Sequence, residues 1–263
     1  MSNILHREQH QGILRLTLND PLTRNSLSDA MMAALAVALD EAQRDDQVRV
    51  IVIAAEGPAF CSGHNLKEIT AHRGDEDAGK AYFARLMTHC SALMQAIVHH
   101  PKPVIAEVQA AASAAGCQLV ASCDLALASE QARFATPGVN IGLFCSTPMV
   151  ALSHNVSRKH TMEMLLTGDM ISAAQAERIG LINRAVASQL LRSSVDDLAA
   201  RIAGKSKAVT KIGKEAFYRQ IDMPLADAYD YAARVMVENL LIQDAKEGIG
   251  AFIDKRPPHW EDR

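Results

Sequence analysis

The sequence has no excess of positive charge: 27 Lys and Arg stand against 30 Asp and Glu, a formal net charge of -3 over 263 residues. Such a balance gives no global basic field to hold nucleic acid or an anionic bilayer, so any anionic ligand must be met locally. Every apolar run is interrupted well short of the roughly 20 residues that span a bilayer. The opening MSNILHREQH has neither the apolar core of a secretory leader nor an Arg- and Ser-rich amphipathic pattern. These absences predict a cytoplasmic protein with neither membrane nor nucleic acid among its partners. The five cysteines (Cys61, Cys90, Cys117, Cys123 and Cys145) form no C-x-x-C pair, so they are expected to be reduced and mostly buried, with no zinc or dithiol chemistry. No G-x-G-x-x-G follows a strand and H-E-x-x-H is absent, which leaves dinucleotide and zinc-protease readings without support. GKS at 204–206 lacks the earlier glycine of a phosphate loop, Ala199 standing in its place, and its surroundings are helical. No metal site is expected. No Pro/Gly/Ser linker, internal repeat or low-complexity tract divides the chain, whose length suits one large domain.

What is present reads as α/β. ILRLTL at 13–18 alternates apolar and polar residues and is closed by NDP, which predicts a half-buried strand ending in a turn. Ser28 then stands as an N-cap before DAMMAALAVALDEAQ, where Met32, Leu35, Leu39 and Ala42 fall on one helical face. VRVIVIAA at 48–55 follows as a β-branched strand. The order repeats with a helix over 78–98, a strand at 103–108, a small-residue helix from about Ala115 and a strand at 124–128. After about residue 146 the pattern is mostly helical, ending in an amphipathic pair and a Pro-Pro stop. Alternation of this kind implies a largely parallel sheet covered by helices. His99 and His100, before a Pro-Lys-Pro turn, read as a solvated helix end.

Two clusters of small residues stand out: AFCSGHN at 59–65 and AASAAGCQL at 111–119, each directly after an apolar β-like run. Small residues let the backbone approach closely, and the first N–H groups of a helix starting near Ala115 have no intrahelical partner. Two such N–H groups facing one oxygen would make an oxyanion hole. The residues alone equally permit a close packing contact between elements.

AEGPAFCSGHNLKEI at 55–69, KPVIAEVQAAASAAGCQLVASCDLALAS at 102–129, FATPGVNIGL at 134–143 and EMLLTGDMISAAQAERIGLINRAV at 163–186 resemble the crotonase, or enoyl-CoA hydratase/isomerase, superfamily. The likeness is collinear from about residue 10 to KEGIGAFIDKR at 246–256. Within the superfamily, AFCSGH, AAGCQLVASCDLA and FATPGVNIGLFCSTP are most similar to the enoyl-CoA hydratase domain-containing protein three group. The resemblance implies a crotonase-like ββα spiral core over residues 1–200, with a C-terminal helical trimerisation region over 201–263 in the same structural unit. It implies an acyl-CoA thioester as substrate, with coenzyme A part of that substrate and no permanently bound cofactor. The enolate oxygen would be held by the N–H groups of Ser62 and Ala115. Coenzyme A would lie along Arg24 and Ser26 and along Ser62, Asn65 and Leu66. Phe252 and Lys255 of a neighbouring copy would complete that site, which implies a homotrimer or a dimer of trimers.

One departure bears on the chemistry. Hydratases of the family use two glutamates, and the matching positions here are Gln118 and Gly138; an acidic position of dienoyl isomerases falls on Ser146. An amide can hold a water but cannot exchange its proton near neutral pH, and glycine offers nothing. Loss of general acid–base help costs about 10²–10⁴ in rate per group, so hydration is expected to be weak or altered. His64, beside the first small cluster, is the candidate relocated base, with Glu68 one helical turn further on to orient it. Cys145 and Ser146 are expected to line or pack, and Asn140 to sit in a turn or reach a carbonyl. The expected activity is that of an enoyl-CoA hydratase-like lyase or isomerase. The alternatives are a thioester hydrolase or decarboxylase of the same fold, or a non-catalytic acyl-CoA sensor or carrier.

Overall fold

The apolar runs at 48–55, 103–108 and 124–128 become strands of one sheet, and each of these three is followed by a short strand of a second, smaller sheet. The computed structural model describes residues 4–263. β1 (Leu5–His10) and β2 (Ile13–Leu18) form a hairpin whose turn residues Gln11 and Gly12 both have positive φ, the geometry that matches strand twist. Next come α1 (Asp29–Arg44), β3 (Val50–Ala55), β4 (Ala59–Cys61), α2 (Leu66–Ala71) and α3 (Lys80–Val98). β5 (Val104–Val108), β6 (Ala111–Ser113) and α4 (Ala115–Ser122) follow, then β7 (Leu125–Ser129), β8 (Arg133–Ala135), α5 (Ser146–Ser153) and α6 (Arg158–Thr167). β9 (Ile171–Ser172), α7 (Ala173–Arg178), β10 (Arg184–Val186), α8 (Leu191–Ala203), α9 (Lys207–Gln220), α10 (Leu225–Leu241) and α11 (Gln243–Ile253) complete the chain.

The large sheet has the order β1-β2-β3-β5-β7-β10, parallel except at the β1–β2 edge. The small sheet has the order β4-β6-β8-β9, with only β8 and β9 antiparallel. Long strand, short strand and helix thus recur three times, as β3-β4-α2/α3, β5-β6-α4 and β7-β8-α5. This is the expected ββα spiral. Ser28 caps α1 as predicted, its Oγ accepting from Met31 N–H at 3.2 Å.

Both faces of the large sheet are covered. On one, Leu16, Leu18, Ile51 and Ile53 pack with Met31, Leu35, Phe60 and Leu86. On the other, Val50, Val52, Ile105 and Leu127 meet Leu191, Val195, Ala199 and Ala203 of α8. β2 is therefore not half-buried as its alternation suggested. Arg15 is only 3% exposed, lying under α8, where its guanidinium meets Glu107 and Asp196. A buried, paired arginine leaves the same period-two pattern as a solvated one.

His100 is a second correction. It is 3% exposed, its Nε2–H donates to Leu39 O (3.1 Å) and its Nδ1 accepts from Lys102 N–H (3.1 Å). Burial pushes its pKa down, so the ring is a neutral strut joining α1 to the turn before β5. Only His99 is exposed as expected.

The sequence boundary at 200/201 falls in the last turn of α8, a helix of the core, and two long C-terminal helices that carry no buried residue, α9 and α10, follow Ser206. The chain end is pinned back: Asp244 accepts from the N–H groups of Glu261 (2.7 Å) and Asp262 (3.0 Å), and Asp262 pairs with Arg49. No described helix is long and apolar enough to cross a membrane.

Candidate active site

The two small-residue clusters meet because β4 and β6 are parallel neighbours, Ala59 opposite Ala111 and Cys61 opposite Ala112. Both loops leave the same end of the small sheet. At their contact, a Cβ on Gly116 would lie 2.2 Å from Cys61 O, and one on Gly63 (φ +93°) would lie 2.9 Å from Ala114 Cβ and 3.4 Å from Ala115 N. Side chains at these two positions would force the loops apart. Ala114 takes φ 50° and ψ −118°, a conformation residues with a Cβ rarely adopt and one that costs on the order of 1–3 kcal/mol. It is held by Ala114 N–H donating to Ala135 O (2.9 Å) and by Gln118 N–H donating to Ala114 O (3.0 Å). That strained residue starts α4, so the N–H of Ala115 opens the helix without an intrahelical acceptor.

Ser62 is placed differently from the expectation. Its N–H donates to Arg24 O (3.1 Å) and its Oγ–H to Thr23 O (3.1 Å). Both donors are committed to the 23–26 turn, so Ser62 braces the loop and does not present an N–H to a ligand. The N–H of Gly63 is turned to the Cys61 thiol, and the donor after it is that of His64. Leu27 N–H donates to Gly63 O (2.8 Å), and Leu27 bridges His64 in parallel register. In that register the flanked residue's own N–H faces away from its partner. The N–H of His64 therefore points away from Leu27.

The His64 imidazole is held by Nδ1 at 3.3 Å from Leu27 O, the distance of an Nδ1–H donor, and its Nε2 is buried without a partner. Burial lowers its pKa, partly opposed by the Leu27 carbonyl and by the carboxylates of Asp29 and Glu68. The ring is neutral near pH 7, with a bare Nε2 lone pair. Glu68 is not a free orienting group: Oε2 accepts from Asp29 N–H (3.2 Å) and Oε1 from Asn65 Nδ2–H (3.2 Å).

At the positions where the resemblance would place glutamates, Gln118 is 4% exposed with Oε1 3.8 Å from Cys90 Sγ. Gly138 lies against Cys145: a Cβ there would be 2.9 Å from both Cys145 Sγ and Leu143 O. The space is filled by a thiol whose pKa burial raises, which suits packing and not nucleophilic attack. Cys61 and Cys117 are likewise pushed up to about 12 by burial. Ser146 is exposed, with Oγ 3.4 Å from Phe144 O, and Asn140 is exposed on the preceding loop.

The expected coenzyme A positions lie on adjoining segments. Arg24 is exposed, and both it and Asn25 have positive φ (58° and 54°) at the end of the 21–23 turn. Ser26 is buried, its N–H donating to Thr23 Oγ1 (3.2 Å) and its Oγ unpartnered. Asn65 caps α2 through Oδ1 and Lys67 N–H (3.1 Å), and Leu66 is half-exposed. Phe252 is 84% exposed in the last turn of α11, and Lys255 lies just past that helix with φ 55°.

The sequence reading missed Asn25. Its amide accepts from Asp20 N–H (2.7 Å) and donates to Glu56 O (2.7 Å) and Ala59 O (2.9 Å), tying the 20–26 turn to β4. The cue was an Asn inside a turn, a residue type that tolerates positive φ. It also missed Asp29, at the start of α1, whose carboxylate acts on His64 and leaves no mark in motif spacing.

The comparisons bear on this geometry directly. The family model described as enoyl-CoA hydratase/isomerase matches residues 8–263. Enoyl-CoA hydratase domain-containing protein 3, mitochondrial, of Mus musculus is 48% identical over 253 residues, covering 96% of this chain and 82% of that protein. The crystal structure of human enoyl coenzyme A hydratase domain-containing protein 3 superposes with TM-score 0.94 at 45% identity, covering 98% of this chain and 100% of that one. An enoyl-CoA hydratase structure from Mycobacterium smegmatis gives TM-score 0.94 at 46% identity, covering 98% and 99%. The expectation of a cytoplasmic protein is overturned by these relatives, whose vertebrate members are designated mitochondrial; the absence of a leader pattern in the opening residues was too weak a basis for it. Agreement of fold, loop apposition and sequence over nearly the whole chain places it in the enoyl-CoA hydratase/isomerase (crotonase) family, in the group of enoyl-CoA hydratase domain-containing protein 3.

Proposed function

We propose that the chain is an acyl-CoA enzyme that polarises a thioester carbonyl towards its enolate between the N–H groups of His64 and Ala115, and that its hydratase activity is weak or altered. The observation that carries this reading is the contact of Gly63 with Ala115 N, beside a helix start whose N–H has no acceptor. Two donors preorganised in a dry site act on the charge that develops in the transition state, and need no side chain to do so. Arg24, Ser26, Asn65 and Leu66 border the coenzyme A path in this reading. Neutral His64, with Nε2 bare, is the group able to take a proton near pH 7. Deprotonation next to the thioester followed by reprotonation gives isomerisation or weak hydration. Hydrolysis or decarboxylation through the same stabilised enolate ranks second.

A non-catalytic acyl-CoA carrier is favoured by one observation: Gln118 and Gly138 put no carboxylate on the acyl site, and Cys145 fills the space beside Gly138. Incubation with crotonyl-CoA, a 3-enoyl-CoA, malonyl-CoA and saturated acyl-CoAs, with mass detection of every product, separates the two. Turnover lost in His64→Ala supports the enzyme; thioester binding without turnover supports the carrier; and no thioester binding by calorimetry overturns both.

The assembly in this reading is a homotrimer or a dimer of trimers. The large apolar side chains of the terminal helices, Leu225, Leu241, Phe252 and Ile253 among them, are exposed in a single chain, and a patch of that kind calls for a partner. Sedimentation of native protein as trimer or hexamer, with Phe252→Glu shifting it towards monomer, is the expected result; a native monomer refutes it.

A further inference from the structure

The segment from Thr23 to Leu27 is laced to the stretch that leads into the first small-residue loop and through it. Thr23 O accepts from Ser62 Oγ–H (3.1 Å) and Arg24 O from Ser62 N–H (3.1 Å). Asn25 donates through Nδ2 to Glu56 O (2.7 Å) and Ala59 O (2.9 Å). Leu27 N–H donates to Gly63 O (2.8 Å), and Leu27 O lies 3.3 Å from His64 Nδ1. The bonds grip the 56–64 stretch on both sides of β4, and within the segment it is Asn25 that holds the side preceding the loop.

Asn25 is fully buried, and its amide is committed to backbone throughout: Oδ1 accepts from Asp20 N–H (2.7 Å), while its own N–H donates to Asp20 O (2.8 Å). Arg24 and Asn25 hold φ of 58° and 54° in succession, a left-handed region that costs residues with a Cβ about 1–2 kcal/mol each and that asparagine tolerates better than most. Strain of that kind persists only where the surrounding bonds impose it. Ala59 O also receives Gln109 Nε2–H (3.1 Å), from the link between β5 and β6. The carbonyl that Asn25 holds is thus shared with the connection that leads towards Ala115.

The two ends of the segment face different parts of the proposed substrate. Arg24 and Ser26 border the coenzyme A path, whereas Leu27 fixes Gly63 and His64, the second of which supplies a proposed donor. We propose that Asn25 is a positioning residue that makes the coenzyme A segment and the first oxyanion loop one unit, so that binding of the nucleotide end of a thioester sets the His64 N–H against its carbonyl. The inference rests on the acyl-CoA reading above. Binding energy from a remote, unreacting part of a substrate raises turnover only where it is transmitted to the reacting atoms. Asn25 acts through Ser62, Gly63 and His64 and not on the substrate itself.

The test is Asn25→Gly, which removes the amide and suits the positive φ. By calorimetry, free coenzyme A should bind the variant within about threefold of native protein, because Arg24 and Ser26 move with their own segment. The ¹³C carbonyl stretch of bound butyryl-CoA, lowered in native protein, should return towards its solution value. Any turnover of crotonyl-CoA or a 3-enoyl-CoA should fall by roughly 10- to 100-fold in kcat with KM nearly unchanged. Butyryl-pantetheine, which lacks the nucleotide, should show a higher carbonyl frequency than butyryl-CoA on native protein and the same frequency on Asn25→Gly. A native carbonyl shift in Asn25→Gly overturns the inference, as does one frequency for both thioesters on native protein. So does loss of coenzyme A affinity in step with the carbonyl shift, the result a plain scaffold residue would give. Ser62→Ala removes only the side-chain bond to Thr23 O and carries the test if Asn25→Gly does not fold. Its carbonyl frequency should rise part of the way with coenzyme A affinity kept, and an unmoved frequency overturns the inference. Native protein that binds neither coenzyme A nor butyryl-CoA instead overturns the acyl-CoA reading.

Discussion

Replacing Gly116 with alanine would test the loop apposition on which the proposed oxyanion hole depends. A Cβ at 116 would lie 2.2 Å from Cys61 O and 2.8 Å from Cys61 C and Cβ, whereas ordinary contact begins at 3.4 Å. The loops must separate by the difference, about 1.2 Å, and the obstructing atoms are mainly backbone, so no rotamer change relieves them. Oxyanion donors act at about 2.7–3.1 Å, and an opening of that size carries one of them beyond hydrogen-bond reach. The expected stability loss is about 1–3 kcal/mol in urea unfolding, and any turnover that depends on both donors falls by about 10²–10³. The direct readout is the infrared stretch of a ¹³C-labelled thioester carbonyl in bound butyryl-CoA. Native protein should lower its frequency, and Gly116→Ala should return it towards the value in solution. Gly213→Ala in α9, where nothing lies within 4 Å of the new Cβ, is the control, expected to gain about 0.5–1 kcal/mol from helix propensity. A folded Gly116→Ala with native stability and an unchanged carbonyl shift would refute the argument.

Gln118→Glu alone should raise crotonyl-CoA hydration by less than about tenfold, because one carboxylate cannot do the work of two. Adding Gly138→Glu should destabilise the protein by about 1–3 kcal/mol, since its Cβ meets both Cys145 Sγ and Leu143 O; a stable double variant with fast hydration would show that Cys145 does not block the position. The pKa values of His64 and His100 are lowered by burial below 6.5, so the unfolded chain binds protons more readily than the folded one just below that pH. Their contribution to stability is complete above pH 6.5 and declines as pH falls, by at most about 1.4 kcal/mol per pH unit for each ring. His64→Gln should therefore flatten the fall in urea midpoint between pH 7 and 5, and an unchanged slope would mean that the ring is solvated. Arg15→Met leaves Glu107 and Asp196 facing an apolar residue, with an expected loss of about 3–5 kcal/mol; a loss below about 1 kcal/mol would mean that water already screens the triad.

What the sequence disclosed follows the range of the interactions concerned. Ser28 as a cap, α4 starting at Ala115 and the strands at 48–55 and 103–108 all depend on neighbours a few residues away, and all were legible. Arg15 and His100 were misjudged because their partners, Glu107 and Asp196 for one and Leu39 O for the other, lie 61 to 181 residues distant. The error at Ser62 is of another kind. The small-residue cluster correctly marked the loop, but only the hydrogen bond to Arg24 O reveals which N–H is already taken. A donor can be named only after every backbone group around it has been assigned a partner.

The proposed division of labour between backbone and side chains has a structural origin. The two loops are brought together by the pairing of β4 with β6 and by the glycines at 63 and 116, none of which restricts the chemistry of the side chains nearby. Gln118, Gly138 and Cys145 can therefore depart from a two-carboxylate arrangement while the N–H groups of His64 and Ala115 keep their places. The carboxylates that act on His64, those of Asp29 and Glu68, come instead from the first turns of α1 and α2. A site assembled this way fixes where a thioester carbonyl lies and leaves the fate of the acyl group to whichever helix residues face it. Gly116→Ala should accordingly move the carbonyl frequency for every acyl group alike. A frequency shift confined to one acyl group would mean that backbone and side-chain roles are not separable in this fold.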